Sequence, residues 1–446
     1  MPTPTPNGTE TRSSSPHHTN FVSQLLEQLR CITRRLNTLE GLSAQWLIAS
    51  FAIALLLIFL RDPSLFTRPQ FWAEDGKVWY AQAYSQGWFY SFTQPINGYL
   101  SALPRLGAAA ALLVSFRWAP LVMASEGLLV QALPIPILLS KRCRNWAPLT
   151  FRLLFAAVYI AIPDAHEVHV FCTNSQWHFA VVEVLLAFAS APRSRPGRVF
   201  DVTIFALAIV CGPFALVLLP LLLVFWWIRR QRWSLILFSI LATGCLLSLA
   251  WLRHYETARH ARFLGATAAL FIRIVGGNIF WAALRGSRAY GYEHSLLPCL
   301  IVFLIGLAVI AYCSRRASLE VRLFFVFCLS ILVASLRSPL LPPTDTPLWQ
   351  AILTVASIRY WYLPSLIFLW SLLWCACYAR SRLFRATGIL LTLFLLQGIV
   401  RDWRIPPLKD LRFPEYAAQF EAAPAGTSVK IPLNPPPAWF MEITKK

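Results

Sequence analysis

Long apolar runs separated by short basic clusters are the feature of this sequence that most constrains its fold. The chain has 446 residues, of which 57% are hydrophobic and only 13% are charged. Because about 20 apolar residues in helical form cross a bilayer, these runs predict an all-α polytopic membrane protein. Eleven spans are expected, at about 44–60, 119–140, 149–163, 177–192, 200–211, 213–228, 233–252, 296–313, 321–336, 361–378 and 386–400.

The basic clusters predict how these spans are oriented. Lysine and arginine are concentrated in the cytoplasmic loops of membrane proteins, and five clusters alternate with the apolar runs, at 141–144, 193–198, 229–232, 315–322 and 380–385. With all five inside, the amino terminus is cytoplasmic and the tail is outside. The apolar stretches 100–117 and 263–284 would reverse this order if they crossed the membrane. We therefore expect them to lie at the outer interface or to re-enter the bundle.

This orientation divides the chain into four parts. Residues 1–20 are rich in Ser, Thr and Pro and are expected to be disordered, whereas 21–43 have leucines at helical spacing and predict a cytoplasmic amphipathic helix. The transmembrane domain is 44–400, with large outer loops at 61–118, 164–176, 253–295 and 337–360. Residues 401–446 form a Pro-rich outer tail, in which 429–433 and 439–443 predict a small two-stranded element.

The composition excludes several classes of function. The formal charge of +20 comes from arginines in short loops, which indicates membrane orientation and not nucleic-acid binding. The ten cysteines form no CxxC pair and lie mostly in apolar runs, as small buried side chains do. No P-loop, GxSxG, HExxH or Rossmann fingerprint is present, so nothing supports a cytoplasmic nucleotide-dependent enzyme.

Two adjacent carboxylates, Glu74 and Asp75, follow the first span in the first outer loop. The chain has 20 acidic residues against 40 basic ones, so a pair at this position requires an explanation. A general base with its partner is one interpretation, a cation ligand is another, and a solvated turn is the third. The scarcity of acidic residues favours a functional pair.

The second outer loop is rich in polar side chains. Its residues Asp164, His166, Glu167 and His169 are ligand types for a transition metal, but their spacing matches no standard metal motif. A polar substrate-binding lip and a solvated loop are the alternatives. Further along, Asn174, Gln176 and His178 begin an apolar helix, so we expect them to face the interior of the bundle.

Ionisable residues also occur close to or within the spans. Arg273 and Arg285 flank apolar surface, and Arg359 caps a span. Arginine binds phosphate through two parallel hydrogen bonds, so these residues predict a site for an anionic lipid head group, with interfacial anchoring as the alternative for Arg359. Glu126 and Glu183 lie inside predicted spans, where a structural hydrogen bond is more common than proton coupling.

This layout resembles the GT-C superfamily of integral-membrane glycosyltransferases, which includes protein mannosyltransferases, aminoarabinose transferases and the catalytic subunit of oligosaccharyltransferase. The resemblance covers about residues 44–400. It rests on a first span followed by a long outer loop with Glu74-Asp75, the Pro-containing stretch 95–116, the basic turn 141–144 and the polar motif 164–178. The family often has an Asp in this second motif, where this chain has Asn174.

The resemblance implies a bundle of about eleven spans and a mechanism. The donor would be a polyprenyl-phosphate-linked sugar, and the acceptor a saccharide, lipid or protein at the extracytoplasmic face of a bacterial inner or plasma membrane. Asp75 would be the base and Glu74 its backup or partner, with inversion at the anomeric carbon. The implied lipid-phosphate ligands are Arg105, Arg273, Arg285 and Arg359. The implied sugar site contains Gln94, Asn97, Tyr99, Asn174, Gln176, Trp177, His178 and Tyr360. No cofactor is certain, and a divalent metal stays open.

Two functions of other classes compete with this one. A transporter or flippase for a lipid-linked saccharide or another anionic amphiphile would have its essential acids within the spans, at Glu126 and Glu183. A non-catalytic scaffold would need neither Glu74 nor Asp75. We rank the glycosyltransferase first and the transporter second.

Overall fold

The computed structural model shows an all-α polytopic membrane protein, as the apolar runs predict. It describes residues 36–96, 98–252, 263–286, 295–341, 345–354 and 358–446, together with a few positions between 24 and 34. The segment 1–20, expected to be disordered, lies outside the described residues. Within the predicted amphipathic helix, the described positions from 24 to 38 are helical.

The helices follow the apolar runs closely. In the first half of the chain they are α1 (Ala44–Arg61), α2 (Ser64–Thr67), α3 (Ala81–Gln86), α4 (Trp88–Phe92), α5 (Ala102–Ala111), α6 (Ala119–Ala132), α7 (Pro134–Leu139), α8 (Leu149–Ala161) and α9 (Ser175–Ala187). In the second half they are α10 (Arg195–Cys211), α11 (Phe214–Arg229), α12 (Arg232–Leu252), α13 (Ala268–Ile272), α14 (Ala282–Arg285), α15 (Leu296–Ser314), α16 (Leu319–Arg337), α17 (Leu348–Thr354), α18 (Ile358–Tyr378), α19 (Arg382–Asp402) and α20 (Phe413–Ala422).

Each of the eleven predicted spans contains a helix, but not all of these helices are long. Among the described residues, eight helices are long and apolar enough to cross a membrane, and one of them, Ala268–Arg285, was not among the predicted eleven. Four predicted spans form shorter helices: α8, α9, α10 and α11 have 13, 13, 17 and 16 residues. The runs predicted at these four places are themselves short, and proline or glycine interrupts the apolar run beside three of them.

The helix ends fall into two groups at opposite ends of the bundle. At one end, the buried guanidinium of Arg61 donates to the carbonyl oxygens of Ile160 and Ile162 at 2.8 and 3.1 Å and to that of Asp402 at 3.1 Å. The carboxyl ends of α1, α8 and α19 therefore meet there. At the other end, Arg152 donates to the carbonyls of Leu138 and Ser140. This grouping matches the alternation that the basic clusters predict.

The apolar stretches 100–117 and 263–284, which were not predicted to cross the membrane, both contain helices. Helix α5 has ten residues, about 15 Å, which is half the thickness of a bilayer core. The helical stretch 268–285, in which α13 and α14 flank a π-helical segment Arg273–Trp281, is long enough to cross. However, the two flanks of this stretch contact the same end of the bundle. The Phe263 carbonyl accepts a hydrogen bond from the Leu348 backbone N–H at 3.1 Å, and Gly286 packs against the Asp402 side chain at the end of α19. These contacts favour the re-entrant placement.

The tail packs on the first outer loop. It contains α20 and two antiparallel strands, β1 (Ser428–Pro432) and β2 (Phe440–Thr444), as the sequence predicts. The backbone N–H of Ala73 donates to the carbonyl of Asn434 at 2.6 Å, and Leu433 packs directly against Gly76. A side chain on Gly76 would collide with Leu433, so glycine permits this close approach. The tail therefore fixes the position of the Glu74-Asp75 pair.

We expect Arg61→Ala to lower the apparent unfolding temperature of the purified protein. Buried carbonyls at the ends of α8 and α19 lose their donor, which costs about 2 kcal/mol. Thermal unfolding followed by tryptophan fluorescence measures the effect. Arg68→Ala, which removes an exposed arginine seven residues away, is the control. Equal unfolding temperatures for the two variants would contradict the proposed role of Arg61.

Candidate functional site

Asp75 is buried where the first and second outer loops meet. It begins the π-helical turn Asp75–Tyr80, and its side chain is only 4% exposed. The carboxylate accepts a hydrogen bond from the backbone N–H of Thr173 at 2.7 Å. Two further contacts join the loops, because Trp79 donates to the Thr173 hydroxyl at 3.1 Å and Trp72 stacks on Phe171 at 4.2 Å.

Burial raises the pKa of Asp75 well above its ordinary value. The backbone N–H of Thr173 opposes this shift, and the negative charges of Glu74 and Glu126 add to it. A carboxyl group in this state holds a proton more readily than one in water. Asp75 thus has a property expected of a general acid or base: a pKa moved towards the working pH.

Glu74 lies beside an ion pair of the second and fourth outer loops. Glu167 is 5% exposed, and the guanidinium of Arg359 donates to its carboxylate, as does the Arg359 backbone N–H at 3.1 Å. Burial raises the pKa of Glu74, while the positive charge of Arg359 opposes that shift. The amide of Asn174 donates to the Glu167 carbonyl at 2.6 Å. Glu74 of the first outer loop, Glu167 and Asn174 of the second and Arg359 of the fourth are thus brought together.

Several residues predicted to line the sugar site instead belong to the packed interior. His178 is 1% exposed, and its ring nitrogens contact the hydroxyls of Tyr159 and Tyr362 at 2.8 and 2.9 Å and the Val168 carbonyl at 2.9 Å. Its hydrogen-bonding capacity is used within the protein. Trp177 is buried edge-on against Tyr360. The hydrogen bonds of His178 and of the Tyr360 hydroxyl are therefore made within the protein, whereas Trp177, whose Nε1 has no hydrogen-bond partner in the described residues, stays a predicted sugar contact.

The first-loop candidates are also partly structural. Arg105 is 1% exposed and donates to the carbonyls of Leu100 and Gln94 and, at 3.2 Å, to the Gln82 side chain. Its guanidinium holds the loop together, so the predicted contact with a lipid phosphate is not supported. Tyr99 pairs with Ile96 in an isolated bridge. Asn97 lies outside the described residues.

The remaining candidates have mixed surroundings. Arg285 donates to the Gln397 side chain and stacks on Trp281 and Phe394. The Nε of Arg273 and the Oε1 of Gln176 are buried without a hydrogen-bond partner in the part of the chain that the structure describes. These three residues stay available for a ligand.

The second loop does not form a metal centre. No three ligating side chains converge in the described ranges. The Nδ1 of buried His169 lies 3.4 Å from the Gln131 side-chain nitrogen, and Glu167 forms an ion pair with Arg359. The backbone N–H of Asp164 donates to the Asp402 carboxylate at 3.0 Å. Burial lowers the pKa of both His166 and His169. The structure therefore does not bring Asp164, His166, Glu167 and His169 together as a metal site in the described residues, and Glu167 is already paired with Arg359.

Glu126, predicted only as an ionisable residue within a span, also lies at this site. Its Oε1 accepts from the Ser175 hydroxyl at 3.2 Å, beside the loop that holds Asp75. The only indication in the sequence was an acidic residue within an apolar run. Proximity to Asp75 could not be read from a separation of 51 positions (126 minus 75).

Comparison with known proteins gives a weak likeness. No protein-family model and no curated protein matches the chain. The crystal structure of an Archaeoglobus fulgidus oligosaccharyltransferase in the apo form is similar with a TM-score of 0.42 and 13% sequence identity. The match covers 86% of this chain and 59% of that one, so this chain spans about three fifths of the matched protein's length. A likeness of this size does not assign a function.

We expect Asp75→Asn to be more thermostable than the wild type at neutral pH. The folded state binds the Asp75 proton more tightly than the unfolded chain does, because its native pKa is raised. Stability from this group therefore falls as pH rises from about 4 through the native pKa. Asparagine does not titrate, so the difference between the proteins should vanish towards pH about 4.

Unfolding temperatures measured across this pH range test the expectation. Glu415→Gln, which alters an exposed tail carboxylate, is the matched control and should follow the wild type. A destabilised Asp75→Asn protein at neutral pH would show that the ionised carboxylate stabilises the fold.

Proposed function

We propose that the chain is a membrane glycosyltransferase that moves a sugar from a polyprenyl-phosphate donor to an acceptor hydroxyl on the extracytoplasmic side. The observation that carries this proposal is the buried Asp75 carboxylate, held at the junction of two outer loops by the Thr173 backbone. A scarce acidic residue with a raised pKa at such a junction is typical of a general base. The resemblance drawn from the sequence supplies the reaction class.

The proposed reaction is a single displacement. Asp75 accepts the proton of the acceptor hydroxyl while that oxygen attacks the anomeric carbon. The bond between this carbon and the phosphate oxygen breaks, the configuration inverts, and the lipid phosphate departs with the electron pair. Exclusion of water by the packed loops strengthens each of these electrostatic interactions.

Glu74 and the arginines have supporting roles in this proposal. Glu74, between Asp75 and the Arg359–Glu167 pair, orients the base through its charge. Arg285 and Arg273 are proposed to bind the departing phosphate, because arginine matches phosphate geometry. Arg359 is committed to Glu167, so it anchors the site and is not a free phosphate ligand.

A divalent metal does not fit the described residues. The Glu167 carboxylate is neutralised by Arg359, and Asp75 is bonded to the Thr173 backbone. Each of these two carboxylates therefore has a protein partner, and the proposed reaction has no metal step.

We expect Asp75→Asn to lower kcat for sugar transfer at least about 100-fold, as the loss of a general base does. Purified full-length protein in lipid nanodiscs would be supplied with a panel of polyprenyl-phosphate sugars, and release of lipid phosphate would be measured. Glu415→Gln is the control. Equal turnover in wild type and Asp75→Asn would contradict the role of Asp75 as base.

A transport function is the second candidate, and one observation favours it. Glu183 is 0% exposed in α9, and both of its carboxyl oxygens lack a hydrogen-bond partner in the described part of the chain. Ionisable groups buried at this depth are often part of a translocation pathway. The transporter would carry a lipid-linked saccharide or another anionic amphiphile.

Two variants separate the candidates. For a transporter, Glu183→Gln should abolish movement of a fluorescent polyprenyl-phosphate sugar between leaflets of proteoliposomes, and Asp75→Asn should leave it intact. For a glycosyltransferase the pattern reverses, with transfer lost in Asp75→Asn and kept in Glu183→Gln. Flux that is unchanged in Glu183→Gln would remove the basis of the transport candidate.

A further inference from the structure

One turn of the second outer loop binds two carboxyl groups. Residues Cys172–Asn174 form a 3-10 turn, and Ser175 begins α9. The backbone of this turn holds Asp75, through the N–H groups of Thr173 and Cys172. Its side chains hold Glu126, through the Ser175 hydroxyl at 3.2 Å and the Cys172 thiol. Cys172 therefore contacts both carboxyl groups, one with its backbone and the other with its side chain.

Two glycines bring Glu126 to this turn. A Cβ on Gly127, the next residue of α6, would lie 1.9 Å from the Val170 carbonyl oxygen. A Cβ on Gly107 of α5 would lie 2.7 Å from the Cys172 sulfur and 3.8 Å from the Glu126 Cβ. Larger residues at either position would push these elements apart. Close packing of α5 and α6 on the turn thus holds Glu126 beside it.

Glu126 has no role in the proposed reaction, and only one of its two carboxyl oxygens is bonded to the turn. Oε1 is bonded to the turn, whereas Oε2 is buried without a hydrogen-bond partner in the described residues. A buried ionised group with an unpaired oxygen is costly in a protein interior. The negative charge of Glu126 also acts on its neighbour, since it raises the pKa of Asp75.

We propose that Glu126 is a positioning residue for Asp75, coupled to it through the turn Cys172–Asn174. The charge of Glu126 then sets the pH range in which Asp75 accepts a proton. This inference rests on the proposed role of Asp75 as the base. Neutral Glu126 leaves Asp75 free to ionise before the reaction. Ionised Glu126 stabilises the proton that Asp75 receives from the acceptor hydroxyl.

Other titratable groups surround the two carboxyls. Asp75 also faces Glu74, which lies among Lys77, Glu167 and Arg359. Glu126 also faces Cys172 and, from α10, Cys211. A substitution confined to Glu126 leaves all of these groups in place, so its effect on Asp75 isolates the proposed coupling.

The test measures the titration of Asp75 directly. Infrared difference spectra of the full-length protein in nanodiscs would be recorded across pH, and the protonated-carboxyl band that is absent in Asp75→Asn would be assigned to Asp75. In Glu126→Gln we expect the midpoint of this band to fall by on the order of one pH unit, because a like charge is removed. An unchanged midpoint would overturn the proposal.

Matched variants complete the experiment. Glu183→Gln removes a buried carboxyl two turns along α9 and should leave the Asp75 midpoint unchanged, and an equal shift there would also overturn the proposal. If Glu126→Gln does not fold, Glu126→Leu removes the same charge and should shift the midpoint in the same direction. Sugar transfer is then measured separately, and the acid limb of kcat against pH should move with the infrared midpoint. Absence of sugar transfer in the wild type would contradict the proposed glycosyltransferase activity. The infrared measurement would still test the coupling between Glu126 and Asp75.

Discussion

The hydrogen bond from the Thr173 backbone to the Asp75 carboxylate joins the two outer loops from which the site is built. Because this bond is buried, neither group has water as a replacement partner, and loss of the bond would leave a polar atom unsatisfied. The stacking of Trp72 on Phe171 and the contact of Trp79 with Thr173 extend the same junction. The loops and the helices they connect are thereby fixed relative to one another.

The helical core was predictable because the bilayer leaves few alternatives. A spanning segment must satisfy its own backbone, so every predicted apolar run became a helix. The division of the run at Gly212-Pro213 was predictable too, because glycine and proline interrupt it. The nearly complete burial of α9, which has only 13 residues, was not, because it depends on tertiary packing. The resemblance implied that Glu74, Asp75 and the second loop share one site, whereas the atoms in contact could not be predicted.

The arginines and His178 show why the site was predicted only in part. Arg61, Arg105 and Arg152 look in sequence like ligands for an anion or like membrane anchors. In the structure they donate to main-chain carbonyls. The last carbonyls of a helix have no partner within that helix, and carbonyls of tight loops often have none within the loop, so arginine side chains from elsewhere in the chain bind them. Which arginine meets a carbonyl depends on where distant helices end. Likewise, His178 meets Tyr159 and Tyr362 only through the packing of three helices.

The contact of the tail with Ala73 has a consequence for biosynthesis. Asn434, whose carbonyl accepts the hydrogen bond from Ala73, is synthesised 361 residues after it (434 minus 73). The Glu74-Asp75 turn therefore gains this contact only after residue 434 has been synthesised. Until then the first loop of the nascent chain lacks a backbone contact that holds the proposed base in place.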